Sequence, residues 1–211
     1  MIIQVEYPGL NVSWAIIRGV KVLRTEPPAV PRAEEKIKRT WNLDKLSFNP
    51  IIRAYRSFFW SLGVDPTKTR PSAEALIRRI LRRGRLPRIN NVVDAMNAAS
   101  VETLITLSVF DLNKISLPLR IRAAKGGEKM IAIGPEEFVF PKNFPLMEDA
   151  KGAIVAAVIF RDSDNTRVTE TTENILVVGY APDTVESYIV RKAVRIACNY
   201  IVEGAGGRLE Q

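Results

Sequence analysis

Apolar and polar positions alternate in ways that divide the chain into a mixed set of elements. Residues 1–6 and 12–23 read as strands, broken by Pro8-Gly9. A proline-rich connector over 25–31 leads to a short polar helix at 33–41. Over 49–62, Ile51, Ile52, Tyr55, Phe58, Phe59 and Leu62 recur at helical spacing, Gly63 ends the helix and Pro66 prevents its continuation. The next helix, 72–83, carries the stripe Leu76, Ile77, Ile80 and Leu81, with Pro71 suiting its first turn and Gly84 its cap. A further helix over 90–99 buries Val92, Val93 and Met96.

Strands then dominate. They are predicted at 104–110, 117–124 and 129–133, the last two joined by the turn Lys125-Gly126-Gly127-Glu128. Residues 134–149 read mostly as loop, 153–160 as an apolar strand, 161–173 as polar turns and 174–180 as another strand. Pro182-Asp183-Thr184 opens the last helix, with Asp183 as N-cap, and the helix stops at Gly204. Helices first, strands joined by short turns, then a closing helix argue for an α+β fold with mainly antiparallel sheets. The expected organisation is a single domain over 1–211. It divides into N-terminal strands and helix at 1–48, a core at 49–204 and a loose glycine-rich tail at 205–211.

Composition narrows the chemistry. Among the 211 residues, 46% are apolar and 26% charged, which suits a soluble globular chain. No apolar run reaches membrane-spanning length and the N-terminus lacks signal-peptide features, so a cytoplasmic location without a membrane partner is expected. Cys198 is the single cysteine, so no intramolecular disulfide can form. Histidine is absent, which excludes a Ser-His-Asp triad, a Cys-His dyad and His-bound zinc within one chain. Catalysis would fall to carboxylates, Lys, Tyr, hydroxyls, backbone donors, water or the substrate itself. No metal and no cofactor are expected.

The net charge of +8 favours an anionic partner. Much of the excess lies in Arg70, Arg78, Arg79, Arg82, Arg83, Arg85 and Arg88, where Glu74 offers the local partner, to Arg78. This is either a solvated helix face or a phosphate-binding surface. Asn90, Asp94 and Asn97 follow at helical spacing: Asn90 suits a cap, whereas Asn97 stands mid-helix, where asparagine is disfavoured. Arg120 and Arg122 precede Gly126-Gly127-Glu128, a hairpin turn in which Glu128 could orient water or read an amine. The polar run 161–167, followed by Thr169, Thr171, Thr172 and Asn174, is either a loop or a pocket wall.

Taken in order, several of these residues form a set. It comprises Tyr55-Arg56, Gly63-x-Asp65-Pro66, Ser72-x-Glu74-x-Leu76 with Arg78-Arg79, and Val93-Asp94-x-x-Asn97. It continues with Phe110-Asp111-Leu112-x-Lys114-Ile115, Arg120-x-Arg122, Gly127-Glu128 and Thr172-x-Asn174-x-Leu176. The set resembles the B3/B4 domain of the bacterial phenylalanyl-tRNA synthetase β chain from about Ile52 to Leu176. The resemblance implies a three-layer β/β/α domain that hydrolyses mischarged aminoacyl-tRNA, here as a free-standing editing factor acting in trans. Its partners would be the aminoacylated end of a tRNA, held by the arginines, with a synthetase as a further candidate partner and no DNA. The pocket implied contains Asp94, Ser108, Asp111, Arg120, Gly127, Thr172, Asn174 and Val178. Asn97 and Glu128 would position water or the amine, and backbone N–H groups near Gly126-Gly127 would face the oxyanion.

The departures bear on specificity. Ser108 stands where the synthetase has a pocket histidine, Val178 where it has the glutamate that reads a tyrosine hydroxyl, and Pro87 where it has an arginine. No Thr-x-Ala segment follows Tyr180. Valine cannot hydrogen-bond a phenol, so tyrosine specificity does not carry over. Two other functions stay open: an inactive tRNA-binding or synthetase-associated module, and a small amino-acid-binding domain.

Overall fold

The structure is a computed structural model that describes residues 2–134 and 136–210. The first half contains β1 (Ile3–Val5), β2 (Leu10–Arg18), α1 (Ala29–Thr40), α2 (Leu43–Phe48), α3 (Pro50–Ser61), α4 (Ser72–Arg83) and α5 (Asn91–Thr103). The second half contains β3 (Thr106–Asp111), β4 (Leu119–Ala123), β5 (Lys129–Ala132), β6 (Glu136–Val139), β7 (Pro145–Glu148), β8 (Ile154–Ala157) and β9 (Arg161–Asp162). It closes with β10 (Asn174–Pro182), α6 (Ser187–Ala205) and β11 (Arg208–Glu210).

Local chemistry explains most helix ends. Asn49 accepts from the Ile51 N–H at 2.9 Å and Pro50 suits the first turn of α3. Gly84 ends α4 in the left-handed region at φ +80°, where glycine carries no Cβ penalty. Asn90 caps α5 by accepting from the Val93 N–H at 2.9 Å. Four expectations need correction. The connector is partly helical, because α1 begins at Ala29 and takes Pro31 within its first turn. α6 begins at Ser187 after a turn that holds Asp183, so Asp183 is not its cap. Segment 134–149 contains β6 and β7, and β7 is buried throughout, without the alternation that marks a half-exposed strand. The tail is not loose over 208–210: β11 pairs antiparallel with β2.

β2 and β10 are the long strands and pair antiparallel from Leu10↔Pro182 to Arg18↔Asn174. β3 joins the other side of β10, giving the order β11-β2-β10-β3. β10 is buried on both faces because a layer lies on each side. On one side is α6, so close that a Cβ on Gly179 would sit 2.8 Å from Val194 Cγ2. On the other is a second sheet, β1-β4-β7-β8-β9, in which β1 pairs parallel to β4 and the other pairs are antiparallel. The Tyr180 hydroxyl, 3.9 Å from Met147 Sδ, marks the contact between the sheets. The fold is therefore α+β, with mainly antiparallel sheets in a β/β/α arrangement. The helices α1, α3, α4 and α5 share a second core of Ile37, Ile52, Ile77, Ile80 and Val101. No helix among the described residues is long and apolar enough to cross a membrane.

Candidate functional site

β3 is an edge strand, and its free edge faces the chain as it turns from β8 into β9. Ile159 makes that turn at φ +67°. A β-branched residue in the left-handed region stores on the order of 1–3 kcal/mol of strain. The turn brings Asp162 across to β3, where its carboxylate accepts from the Ser108 hydroxyl at 3.0 Å. One side chain belongs to each sheet, so this contact bridges the layers.

Two clefts meet at this contact, and Asp162 and Ile133 line both. The smaller, about 250 Å³, is lined also by Ser72, Thr106 and Ser108. The larger, about 620 Å³, has apolar walls from Val93, Met96, Val109 and Val168 and polar groups from Asn90, Thr169 and Thr171. Ser108 and Val109 point to opposite faces of β3, so the clefts wrap around its free edge. Arg24 and Arg167 also line the larger one. Asp162 keeps some accessible surface toward the clefts, yet its carboxyl lies deep among protein atoms. Desolvation pushes it up to about 7, against the opposing effect of the Ser108 bond.

The structure distributes the sequence-predicted residues over several places. Ser108 is at the junction of the clefts, and Val178, its cross-strand partner, is fully buried beside it. Asp94 accepts from the Ile89 N–H at 3.0 Å and closes the loop into α5; it lines a separate small cleft with Arg88 and Glu26. Burial raises its carboxyl to about 6, although the Ile89 N–H opposes this. Asn97 is buried in the middle of α5. Asp111 and Thr172 are joined at 2.8 Å, and the Asn174 amide donates to Asn113 at 3.2 Å, so these tie the start of β10 to the end of β3.

Arg120, Arg122 and Glu128 lie in an ion-pair network on the second sheet. Glu148 takes both arginines, and Arg122 also reaches Glu128 at 3.1 Å. Burial pushes the Glu128 carboxyl up, yet the N–H groups of Lys125 and Gly126 and the Arg122 guanidinium hold it down at about 2. Its carboxylate thus caps the Gly-Gly turn. The Gly126 N–H donates to Glu128 and the Gly127 N–H to Phe140. In this structure Glu128 and the N–H groups of the turn, proposed from sequence to position water and face an oxyanion, are engaged within the protein.

The arginines also separate. Arg56 and Arg78 converge on the fully buried Glu74 at 2.5 and 2.7 Å, with Arg70 at 3.8 Å. Arg88 bridges Glu26 and Glu34 at 2.5 and 2.9 Å. Arg79 is half-buried, whereas Arg82, Arg83 and Arg85 are exposed. Asp162 was hidden in the polar run 161–167; its sequence signal was its place directly after a buried apolar strand. Asn91 was missed as well: its side chain bonds Leu23, Lys21 and Gly204, pinning α5 to the chain after β2 and to the end of α6. No group of three or more His, Cys, Asp or Glu that could hold a metal ion occurs among the described residues.

This architecture has relatives. A phenylalanine–tRNA ligase β subunit from Legionella pneumophila is 27% identical over 171 residues, which are 81% of this chain and 18% of that protein. One from Photorhabdus laumondii is 32% identical over 100 residues, 47% of this chain and 12% of that protein. The chain therefore spans less than a fifth of the length of these relatives. A solved N-terminal fragment of the phenylalanyl-tRNA synthetase β-subunit from Pyrococcus horikoshii shares the fold. Its TM-score is 0.50 at 16% identity, covering 94% of this chain and 46% of that one. Residues 54–206 match the B3/4 domain, and the chain belongs to that family.

Proposed function

We propose that the chain is a trans-editing hydrolase that removes the amino acid from a mischarged tRNA. The observation that carries this is the pair of clefts meeting at Asp162 and Ser108 in a B3/4 domain whose relatives are phenylalanine–tRNA ligase β subunits. The larger cleft has the volume and apolar walls for an amino-acid side chain. The α4 segment connects the clefts to exposed charge. Ser72 at its start lines the smaller cleft, Ile89 and Asn90 beyond its end line the larger one, and Arg82, Arg83 and Arg85 lie between. Those arginines are suited to phosphates, which would position the tRNA without reading its bases.

The chemistry is ester hydrolysis. Water adds to the acyl carbon, the bond to the ribose oxygen breaks, and the products are a free amino acid and a tRNA with its terminal hydroxyl restored. An aminoacyl ester is already activated, so the site needs to hold the acyl group and place water. The neighbouring ribose hydroxyl can assist, which suits a chain without histidine. A panel of misacylated tRNAs tests this. Release of free amino acid from at least one is expected. If every tRNA stays charged at stoichiometric protein, the enzyme is excluded. Salt-sensitive tRNA binding without turnover would then mark a binding module.

A further inference from the structure

We propose that Asp162 anchors the ammonium group of the ligand, so that the joined clefts select an acyl group bearing a free amine and an apolar side chain. This rests on the aminoacyl ester reading above and names the chemical class that the site takes.

The Asp162 carboxylate accepts from Ser108 at 3.0 Å, whereas a carboxylate offers about four acceptor positions. Asp162 lines both clefts, so its accessible surface opens into them. The nearby cations are directed elsewhere. Arg161, its neighbour in the chain, pairs with Glu136 and lies over the Phe160 ring. Arg24 pairs with Glu170 at 2.8 Å and Arg167 with Asp164 at 3.3 Å. An acidic group at the base of a cleft, with the neighbouring cations held by other carboxylates, suits a cationic ligand.

The surroundings define the cation further. The hydroxyls of Ser72 and Thr106, 3.2 Å apart, line the smaller cleft with Asp162. An ammonium has three donors, and this cleft offers one carboxylate and two hydroxyls. The walls running away from Asp162 are Val93, Met96, Val109, Ile133 and Val168, which fit an apolar body. An α-amino acid with an aliphatic or aromatic side chain combines these features, and its esterified carboxyl adds no negative charge beside Asp162.

The test is binding of stable amide analogues of leucyl- and phenylalanyl-adenosine, each compared with its des-amino counterpart. The unmodified chain should hold the amine-bearing form about 10–100-fold more tightly, as a charge-assisted hydrogen bond implies. Asp162→Asn should remove that preference, so that the amine-bearing and des-amino forms bind alike. Asp162→Glu should restore part of it. Equal binding of the two forms by the unmodified chain would overturn the proposal without using any variant, and so would an undiminished preference in a folded Asp162→Asn chain. If tRNA is deacylated without amine preference, this inference falls and the functional reading stands. If no analogue binds and no tRNA is hydrolysed, both fall.

Discussion

The Tyr55 hydroxyl, on α3, donates a hydrogen bond to the carbonyl oxygen of Tyr180, on β10. The Tyr55 hydroxyl oxygen in turn accepts from the Thr106 N–H at 3.0 Å, so one phenol joins the adjacent ends of β3 and β10. Tyr55 is fully buried, and water cannot replace these bonds without entering the core. Tyr55→Phe keeps the ring and leaves a buried carbonyl and N–H unpaired. A loss of about 2–4 kcal/mol is expected, read as a lower urea midpoint with an unchanged slope. A midpoint shift within error would show that other groups satisfy them.

Glu74 organises the base of α4. Burial pushes its carboxyl up, but hydrogen bonds and charge from Arg56 and Arg78 outweigh this and hold it below the usual glutamate range. Its stabilising contribution is therefore present above the unfolded-state pKa and is lost as pH falls through the folded one. Glu74→Ala leaves the arginines around an empty buried site and should destabilise by about 3–5 kcal/mol. The gap between variant and parent should narrow on acidification below about pH 4. A gap that stays constant down to pH 2 in thermal melts would refute the charge-based account.

The arginines predict two classes of variant. Charge reversal at Arg82, Arg83 and Arg85 together should weaken tRNA binding. It should also reduce the slope of log affinity against log salt by about 2–3, with little change in melting temperature. Reversal at Arg78 or Arg88 should lower the melting temperature, because each is held by internal carboxylates. Titrations over a salt series, with parallel melts, separate the classes. An unaltered slope in the triple variant would place the RNA on another surface.

Asp162 ties stability to pH in the opposite direction from Glu74. Its carboxyl is at about 7 in the folded chain against an ordinary value of 3.8. The folded state thus favours the proton, and stability falls as pH rises from about 4 to 7. Asp162→Asn cannot ionise and should be more stable than the parent by roughly 2–4 kcal/mol at pH 8, with the difference vanishing toward pH 4. Paired melts at both pH values check this. A variant less stable at pH 8 would mean that the carboxylate is well solvated there.

Periodicity and punctuation were enough to place α4 at 72–83, because its apolar stripe, Pro71 and Gly84 are all local signals. The same holds for Asn90 as a helix cap, since capping spans only a few residues. The ordered motifs were enough to show the family, and the absence of histidine removed whole classes of mechanism. Segments whose structure depends on distant partners were illegible. β7 reads as loop until β4 and β8 flank it, and β11 reads as a free tail until β2 supplies its hydrogen bonds. Charge was legible in part: the i,i+4 spacing already pairs Arg78 with Glu74, but only packing shows that Glu74 is buried and shared with Arg56, while Arg82 and Arg83 face solvent. The site itself was decided by tertiary structure. Ser108 and Asp162 are 54 residues apart and meet because two sheets stack and a strained turn at Ile159 carries the aspartate across. Hydrogen bonding and desolvation act over a few ångströms of space, and sequence spacing reports such distances only within a single element.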